Sequence, residues 1–455
     1  MDFNENGTEP LENTEPCVSK PLFEDRKYYV AITCLFVALA ILLTFVVTYV
    51  LLTLSYERDM EALGDRYEAE LDYYGEFRSI IELYNSLPEE MRSIETYKKL
   101  AYIDCYYRAN YVGEIDEDEL IYMMATGYVV GTGDKYGGYY SADEFETVLG
   151  DVEGNSVGIG VYVTSDLDTD GIRISYVMQD GPAHKAGLLP GDVVTHVDGK
   201  KVSELGYYTA LDLIKGEENT PVTLIILRDG KYIEKTLTRK TFNVESVIYQ
   251  KLEGGVGIIR IVDFNNATTA QLISAVDKAI SADGCTKLVF DVRSNPGGTL
   301  TSVVEILDFL LPEGVIVTQR YAGGEKYEYK SDSEGTEFEA LYGTDIEMAV
   351  LVNGSTASAA ELFTCALKDY GKAVIVGEKT YGKGCGQNVI PLYDGSGLVF
   401  TTFLYDPPKS ANYNGVGIAP DIDAELSEEA SKKNLFELSH SEDEQLKAAI
   451  EALNK

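Results

Sequence analysis

Residues 348–367, MAVLVNGSTASAAELFTCAL, decide the fold of the carboxy-terminal half of the chain. The apolar run MAVLV is followed by small residues, and an amphipathic pattern begins at about Ala359. This order predicts a buried strand, a tight turn and a helix, which is the repeating unit of a layered α/β domain. Ser358 lies in the turn, where backbone N–H groups at the start of the helix are suited to binding an oxyanion.

A plainer interpretation of this turn is a helix cap. Ser355, Thr356 or Ser358 would accept a hydrogen bond from the first helical turn. Glu361 would then complete a capping box with Ser358. This stretch alone does not separate a capping serine from a nucleophile.

The alternation of strands and helices continues on both sides of this unit. Strand patterns are GVGIIRIVDF, KLVFDVRS, EMAVLVN and KAVIVGE, and the helix patterns between them are ATTAQLISAVDKAI, SVVEILDFLL and AAELFTCALK. Strands that alternate with helices predict an α/β layered domain, here over residues 243–424.

A serine nucleophile needs a general base, and histidine is the usual one. The chain has three histidines, none near Ser358 in sequence: His184, His196 and His440. A lysine can take this role where burial keeps it neutral near pH 7.

Lys383 is the lysine that the sequence favours as the base. It lies in the loop VGEKTYGKGCGQ, after the next strand, and is expected at the same edge of the sheet. The glycines on both sides of it would let the loop lie against another backbone. Lys379 and Lys372 are the alternatives, and the non-catalytic interpretation is a solvated loop lysine.

The turn Asn295–Gly298, in DVRSNPGG, follows the strand KLVF. It offers free N–H groups at the carboxyl end of a strand, the edge where open α/β sheets bind ligands. The alternative is an ordinary turn between a strand and a helix.

Another motif, GNSVG around Ser156, fits the nucleophile elbow G-x-S-x-G, but a strand follows it where that motif requires a helix. Ser156 is therefore rejected.

Composition excludes several classes of protein. The 455 residues carry a formal charge of −37 and a pI near 4.4, so nucleic acid is not an expected partner. Three histidines cannot supply a histidine-rich metal site. The cysteines are scattered without a C-x-x-C pair, which predicts neither a zinc ribbon nor a disulfide framework: Cys17, Cys34, Cys105, Cys285, Cys365 and Cys385. No cofactor is implied.

The amino-terminal part predicts a membrane anchor. Residues 1–27 are polar and acidic and are expected to form a disordered tail, and residues 28–56 carry no charge. That span exceeds the ~20 apolar residues that cross a bilayer. Arg26 and Lys27 precede it, whereas Arg58 is the basic residue close behind it. The positive-inside bias thus favours a cytoplasmic amino terminus and a body outside the cytoplasm.

Three further regions complete the expected organisation. Residues 57–150 have helical spacing, with a run from Met60 to Leu87 and another from Glu117 to Val129. Residues 151–242 contain short β-rich runs separated by Gly, Pro and Asp turns, which indicates a small β-rich module. Residues 425–455 are expected to form a charged, helical surface tail.

The motifs DVRSNPGG, VLVNGSTASAAE and GEKTYGKGCGQ, in that order, resemble those of the carboxy-terminal processing proteases, and the resemblance covers roughly residues 90–424. It implies a ClpP/crotonase-like α/β core with a Ser-Lys dyad. Ser358 matches the nucleophile and Lys383, twenty-five residues later, the general base. Gln387 matches a glutamine that positions the dyad, and the N–H groups of Gly298 and Ala359 match the oxyanion hole.

The β-rich module resembles a PDZ domain, which these proteases carry before the core. The segment DGPAHKAGLLPGDVVTHVDGKKV carries this likeness, and NGVGIAPDI matches a closing segment of the core. The resemblance implies that a substrate carboxy terminus binds at Gly158, Ile159, Gly160 and Val161, where N–H groups and a strand edge are suited to a peptide. Many relatives have Arg where this chain has Lys215, which leaves a role of that residue in activation open.

The uncharged span and the resemblance together predict a bacterial serine endopeptidase with a single membrane span, whose catalytic domain lies outside the cytoplasm and takes substrates by their carboxy-terminal tails. Its partners would be peptides and the bilayer, and a second copy of the chain stays open. One alternative is a membrane-tethered PDZ scaffold with an inactive core. Another is a crotonase-like acyl-transfer enzyme, but the acidic chain shows no basic site for the phosphates of coenzyme A.

Overall fold

The computed structural model describes residues 84–88, 92, 94–166, 168–331 and 337–455. The chain divides into two units, Met1–Val112 and Gly113–Lys455, and the first contains helix α1, Ile94–Asn110. The predicted tail and membrane span, and the predicted helical run up to residue 83, lie outside the described residues. Among the residues described, no helix is both long and apolar enough to span a bilayer.

The second unit begins with a short helical region. Its elements are helix α2, Glu117–Gly131, strand β1, Gly138–Tyr140, and helix α3, Ala142–Glu153. The Asp116 side chain accepts hydrogen bonds from the first turn of α2, and Ser141 and Glu144 form a capping box on α3. The helix predicted from Glu117 is therefore present and runs two residues further than expected.

The β-rich module follows as a six-stranded antiparallel sheet and a separate strand pair. The sheet has the order β3-β4-β5-β7-β8 with β6 beside β5, and β2 pairs with β9. Along β7 the side chains of Val222, Leu224 and Ile226 are fully buried at every second position, as a half-buried strand requires. The elements are β2 Asn155–Gly158, β3 Val161–Asp166, β4 Gly171–Val177, α4 Pro182–Lys185, β5 Val193–Val197, β6 Lys200–Lys201, α5 Val202–Leu205, α6 Tyr207–Lys215, β7 Pro221–Arg228, β8 Lys231–Thr238 and β9 Lys240–Asn243.

The α/β core is built on a six-stranded sheet of order β10-β11-β12-β15-β16-β19, parallel except for β10. Strands β11, β12, β15 and β16 coincide with the four predicted apolar runs, whereas the outer strands β10 and β19 were not predicted. The elements are β10 Val247–Lys251, β11 Val256–Ile261, α7 Thr268–Asp277 with a π-helical turn Lys278–Ala282, β12 Lys287–Asp291, α8 Leu300–Leu310, β13 Gly314–Tyr321, β14 Lys326–Ser331, α9 Glu337–Tyr342, β15 Glu347–Val352, α10 Ala359–Asp369, β16 Val374–Gly377, β17 Cys385–Pro391, β18 Gly397–Asp406, β19 Ile422–Asp423, a 3₁₀ turn Ala430–Lys432 and α11 Glu444–Ala452.

Both faces of the core sheet are covered. Helices α7, α8 and α10 pack on one face, where Ile259, Phe290 and Val350 are fully buried. Helix α11 packs on the other face, where Leu446 and its neighbours contact β11, β12, β15 and β16. A parallel sheet covered on both sides explains why its strands are continuous apolar runs without alternation.

A second sheet, which the sequence patterns do not predict, flanks the core. Its order is β1-β18-β13-β14, and β17 also pairs with β18. Strand β1 therefore joins a sheet built otherwise from residues far along the chain. This pairing places the segment before β1 beside β18, the strand that also pairs with β17, which begins directly after Lys383 and Gly384.

The carboxy-terminal segment is not the helical surface tail that its charge suggests. Of residues 425–455, only the 3₁₀ turn and α11 are helical. Asp443 caps α11 and forms an ion pair with Arg293, and both side chains are nearly or fully buried. The helix EQLKAAIEA is short, contains three charged residues and follows a highly charged stretch, so composition alone suggests an exposed tail.

Candidate active site

Ser358 occupies a strained position at the end of the strand-to-helix turn. Its φ of +56° and ψ of −120° lie in a region that non-glycine residues rarely adopt, and its side chain is 6% exposed. Helix α10 begins at the next residue, so Ser358 is also the residue that precedes the helix. Such a turn presents a serine side chain at the helix start, as nucleophile elbows do.

The turn Asn295–Gly298 lies directly against the Ser358 turn. Ala357 N–H donates to the backbone carbonyl of Asn295 over 2.9 Å, and the Asn295 side chain accepts from Gly297 N–H over 2.8 Å. A Cβ atom on Gly297 would lie 2.6 Å from the Cβ of Ser358, so this close approach requires glycine. The two turns predicted separately from the sequence thus form one site.

Two backbone N–H groups at this site are available to a ligand. Neither Gly298 N–H nor Ala359 N–H donates a hydrogen bond to any other described residue. Ala359 is the first residue of α10, where N–H groups carry partial positive charge. These are the two donors that the resemblance assigns to an oxyanion hole, and the structure leaves both unpaired.

Lys383 lies in a loop that is packed closely against residues 412–417. A Cβ atom on Gly382 would lie 2.8 Å from the backbone nitrogen of Gly417, and one on Gly384 would lie 2.7 Å from that of Asn414. The flanking glycines therefore allow the backbone contact that the sequence suggested. The two other lysines considered as the base have different surroundings. Lys379 is exposed, and Lys372 forms an ion pair with Glu339.

The Lys383 amine is in an environment that disfavours its charge. Burial lowers its pKa below the ordinary value of 10.5. Negative charge on Cys385, Tyr381, Asp134 and Glu361 acts in the opposite direction. Within the described chain no hydrogen bond joins the Lys383 amine to the Ser358 hydroxyl, and Nζ lies 4.5 Å from the centroid of an aromatic ring, that of Tyr136.

Glu361 is the residue that links the two halves of the site. Its carboxylate is fully buried and accepts from the backbone N–H groups of Ser358 at 3.0 Å, Lys383 at 2.7 Å and Gly382 at 2.7 Å, and from the Thr380 hydroxyl at 2.5 Å. The sequence identified Glu361 only as part of a capping box. Its contacts with the lysine loop have no local sequence signal.

Gln387 has contacts that connect it to the site indirectly. It lies on β17 and its amide donates to the Thr401 hydroxyl over 3.3 Å and to Cys385 Sγ over 3.7 Å. No hydrogen bond between its side chain and that of Ser358 or Lys383 occurs in the described structure. A direct contact with the dyad therefore stays a prediction from the resemblance.

Other residues considered from the sequence lie away from this site or are buried. Ser156 is in the middle of β2, opposite Phe242, so it is not at a strand-to-helix turn. Cys385 is 3% exposed, and burial raises its pKa. For the described residues, no group of His, Cys, Asp and Glu side chains has the arrangement needed to hold a metal ion.

The β-rich module contains an open backbone loop where the resemblance predicts peptide binding. Ile159 and Gly160 accept backbone hydrogen bonds from Ala183 and Met178. Their own N–H groups donate to no other described residue. Gly160 has a φ of +76°, and Val161 begins the edge strand β3.

Helix α6 closes one side of this loop. A Cβ atom on Gly158 would lie 3.9 Å from the Cα atom of Lys215, the last residue of the helix. The unpaired N–H groups of Ile159 and Gly160 are the donors suited to a free carboxylate, whereas the carboxyl end of α6 carries partial negative charge and is not.

A strained serine, a half-buried lysine and two unpaired N–H groups on an α/β core are the arrangement expected of a serine hydrolase with a lysine base. The core belongs to peptidase family S41: residues 255–424 match that family, and residues 173–228 match the PDZ domain. The segment before the matched core is thus the PDZ module that the sequence predicted.

Curated proteins that resemble this chain are named as serine proteases. The chain is 37% identical over 334 residues to the "Probable CtpA-like serine protease" of Staphylococcus saprophyticus, covering 73% of this chain and 65% of the relative. It is 35% identical over 317 residues to the protein of the same name from Staphylococcus aureus (strain COL), covering 69% and 62%. The chain therefore spans less than two thirds of the length of these relatives.

A solved structure shares the fold. The putative S41 protease from Bacteroides fragilis NCTC 9343 is 17% identical and has a TM-score of 0.52, covering 77% of this chain and 94% of that one. At this identity the likeness concerns the fold alone.

Proposed function

We propose that the protein is a membrane-anchored serine endopeptidase that cleaves protein substrates near their carboxy termini. The observation that carries the proposal is the buried Glu361 carboxylate, because it binds the backbone N–H groups of both Ser358 and Lys383. Two segments that are distant in sequence are thereby held at one site beside two unpaired donors. Membership of the family and the printed names of the relatives support proteolysis as the reaction.

The dyad would act in two steps. Neutral Lys383 takes the proton of the Ser358 hydroxyl, and Oγ attacks the scissile carbonyl carbon, whose oxyanion accepts from Gly298 and Ala359 N–H. The C–N bond then breaks, and the leaving amine takes the proton from Lys383. A water molecule next gives a proton to Lys383 and attacks the acyl carbon, and Ser358 recovers its proton as the acid leaves.

The PDZ module would select the substrate. The unpaired N–H groups of Ile159 and Gly160 are suited to a carboxylate, and the open edge of β3 beginning at Val161 is suited to an added peptide strand. Only an extended, flexible chain terminus can occupy such a site. We therefore propose unstructured carboxy-terminal tails as the substrate class, held at the loop from Gly158.

The proposed location rests on the sequence. Residues 28–56 are uncharged, and basic residues precede them, which supports a single span with the catalytic domain outside the cytoplasm of a bacterial cell. Protease added to intact spheroplasts should then degrade the catalytic domain. Protection of that domain until the membrane is permeabilised would contradict the proposed orientation.

The dyad is tested with the full chain and an unfolded protein substrate that has a free carboxy terminus. Ser358→Ala and Lys383→Ala should each abolish cleavage, whereas Lys379→Ala, at an exposed lysine of the same loop, should leave the rate unchanged. Circular dichroism checks that each variant is folded. Turnover retained by folded Ser358→Ala or Lys383→Ala protein would refute the mechanism.

A second function has one observation in its favour. Among the described residues no hydrogen bond joins Ser358 and Lys383, which also fits a PDZ scaffold whose core no longer catalyses. A fluorophosphonate probe separates the two functions, because only an activated serine reacts with it. Labelling that Ser358→Ala abolishes supports the peptidase, and a wild-type chain without labelling supports the scaffold.

A further inference from the structure

The lysine amine at the active site lies against a ring from a segment more than two hundred residues earlier in the chain. Lys383 Nζ is 4.5 Å from the centroid of the Tyr136 ring. Tyr136 is half-buried and belongs to the segment TGDKYGGYY, residues 132–140, between α2 and α3. None of the steps proposed above uses this segment.

The segment is fixed to the second sheet. The Asp134 carboxylate accepts from the backbone N–H of Thr401 at 2.7 Å, from the hydroxyl of Thr401 at 2.8 Å and from Tyr136 N–H at 3.0 Å. Burial opposes ionisation of this carboxyl, but these hydrogen bonds prevail and lower the pKa of Asp134. Because β18, which contains Thr401, also pairs with β17, the ring and the lysine loop are held by one strand.

A second contact joins the same two segments, with the lysine on the earlier segment and the tyrosine on the lysine loop. Lys135 donates to the hydroxyl of Tyr381 over 2.8 Å, and its amine lies 4.9 Å from that ring. Lys135 thus binds a tyrosine of the lysine loop, while Tyr136 binds the lysine of that loop. Two adjacent residues therefore define where the loop side chains lie.

The face of an aromatic ring attracts a cation and has no comparable attraction for a neutral amine. Contact with Tyr136 therefore favours the ammonium form of Lys383, whereas the proposed base is the neutral form. The other titratable groups that face Lys383 are Asp134 on the same segment as the ring, Tyr381 on its own loop, Cys385 at the start of β17 and Glu361 on α10. The Lys135 amine also lies 5.2 Å from the centroid of the Tyr136 ring.

We propose that Tyr136 is a positioning residue that holds Lys383 as an ammonium ion over its ring, in a resting orientation without a hydrogen bond to Ser358. The proposal rests on the proposed function. In the active orientation the amine has lost its proton to water, has left the ring and accepts the Ser358 hydroxyl proton. The ring then limits the fraction of enzyme that is ready to react at low pH.

The test compares Tyr136→Leu with Tyr136→Phe in the full chain. Leucine keeps apolar bulk that excludes water but has no aromatic face, so the acidic limb of kcat/KM should move to lower pH by about 0.5 to 1 unit. One unit below the wild-type midpoint, kcat/KM should rise about three- to fivefold. Phenylalanine should restore the wild-type midpoint, and Tyr232→Leu, at an exposed position on β8, should leave kcat/KM unchanged.

A second readout does not depend on cleavage. The pH dependence of Lys383 acetylation by acetic anhydride, followed by mass spectrometry in a Ser358→Ala background, reports the amine directly, and its midpoint should fall with Tyr136→Leu. If acetylation shifts but wild-type protein cleaves nothing, the ring contact stands and the proposed function fails. An unchanged midpoint in both readouts, or an equal shift with phenylalanine, would overturn the proposal.

Tyr136→Met replaces the leucine variant if that variant has no cooperative thermal transition.

Discussion

At the scale of single residues, Glu361 is the side chain whose role is most easily tested. It receives four donors, so Glu361→Gln would direct an amide NH₂ at N–H groups that need an acceptor. We expect a loss of about 1–3 kcal/mol in stability. Displacement of the Ser358 and Lys383 backbones should also lower kcat about 100-fold. Thermal unfolding and single-turnover kinetics measure the two effects, with Glu347→Gln, at an exposed surface ion pair, as control.

An unchanged kcat in folded Glu361→Gln protein would show that the backbone hydrogen bonds do not position the dyad. The sequence could not supply this prediction. Capping-box spacing relates Glu361 to Ser358 within one helical turn, whereas its bonds to Gly382 and Lys383 depend on how β16 and the following loop return to the sheet edge. Ser358 and Lys383 could be chosen as candidates because each lies in a local motif of small residues, but those motifs alone left a helix cap and a solvated lysine open.

A buried carboxyl predicts a measurable pH dependence of stability. Burial, together with the nearby charge of Asp151, raises the pKa of Asp263 to about 6, and its Oδ1 has no hydrogen-bond partner among the described residues. The folded state thus holds this proton more tightly than the unfolded chain, and the group makes the protein less stable as pH rises from about 4 to 6.

Asp263→Asn removes this titration while keeping the shape of the side chain. We expect it to stabilise the protein by about 1–3 kcal/mol at pH 7.5, because the ionised carboxylate is no longer buried. The gain should disappear below about pH 4, where the wild-type carboxyl is neutral in both states. Thermal transitions at pH 4, 5, 6 and 7.5 measure it, and Asp168→Asn, at an exposed position, is the control. A gain that is independent of pH would contradict this assignment.

At the scale of elements, Arg239 fixes the end of helix α6. It is 6% exposed, and its guanidinium donates to the carbonyls of Leu213, Ile214 and Pro221. A Cβ atom on Gly216 would lie 2.7 Å from Arg239 Nε, which explains why the helix ends at a glycine. Lysine cannot reach several carbonyls in this planar geometry.

Arg239→Lys should therefore loosen the end of α6 beside the loop at Gly158. We expect a loss of about 1–3 kcal/mol in stability of the module and weaker binding of a fluorescent peptide with a free carboxy terminus. Fluorescence anisotropy measures the peptide affinity. Arg320→Lys, in an exposed ion pair of the core, should change neither quantity, and equal effects of both variants would argue against a specific role of Arg239.

The elements that the sequence did not predict share a physical property. Several strands of the second sheet bury few side chains: no residue of β1 is buried, and along β14, Lys326–Ser331, only the last side chain is buried. Such strands carry little hydrophobic periodicity, which is the signal that identified β12 and β15. The position of Tyr136 depends on this sheet, so the contact of its ring with Lys383 could not be inferred from the sequence.

At the scale of the whole second unit, the carboxy-terminal segment joins the PDZ module to the core. The Phe436 ring stacks on the rings of Tyr162 and Tyr176, which lie on strands of the module. The distances between ring centroids are 5.8 Å to Tyr162 and 5.3 Å to Tyr176. Arg260 of core strand β11 lies 4.8 Å from the centroid of the same ring. A few residues later, Leu446 is buried against the core sheet.

Two substitutions test the contacts with the module and with the core separately. Phe436→Ala removes the ring that Tyr162, Tyr176 and Arg260 share, so hydrogen exchange should increase in β3 and β4 while the thermal transition of the core stays unchanged. Leu446→Ala leaves a cavity under α11 and should destabilise the core by about 2–5 kcal/mol. If Phe436→Ala instead lowers the core transition and leaves exchange in the module unchanged, the segment supports the core alone. An effect confined to β3 and β4 would mean that the carboxy-terminal segment, which follows the catalytic core in the chain, holds the module in place.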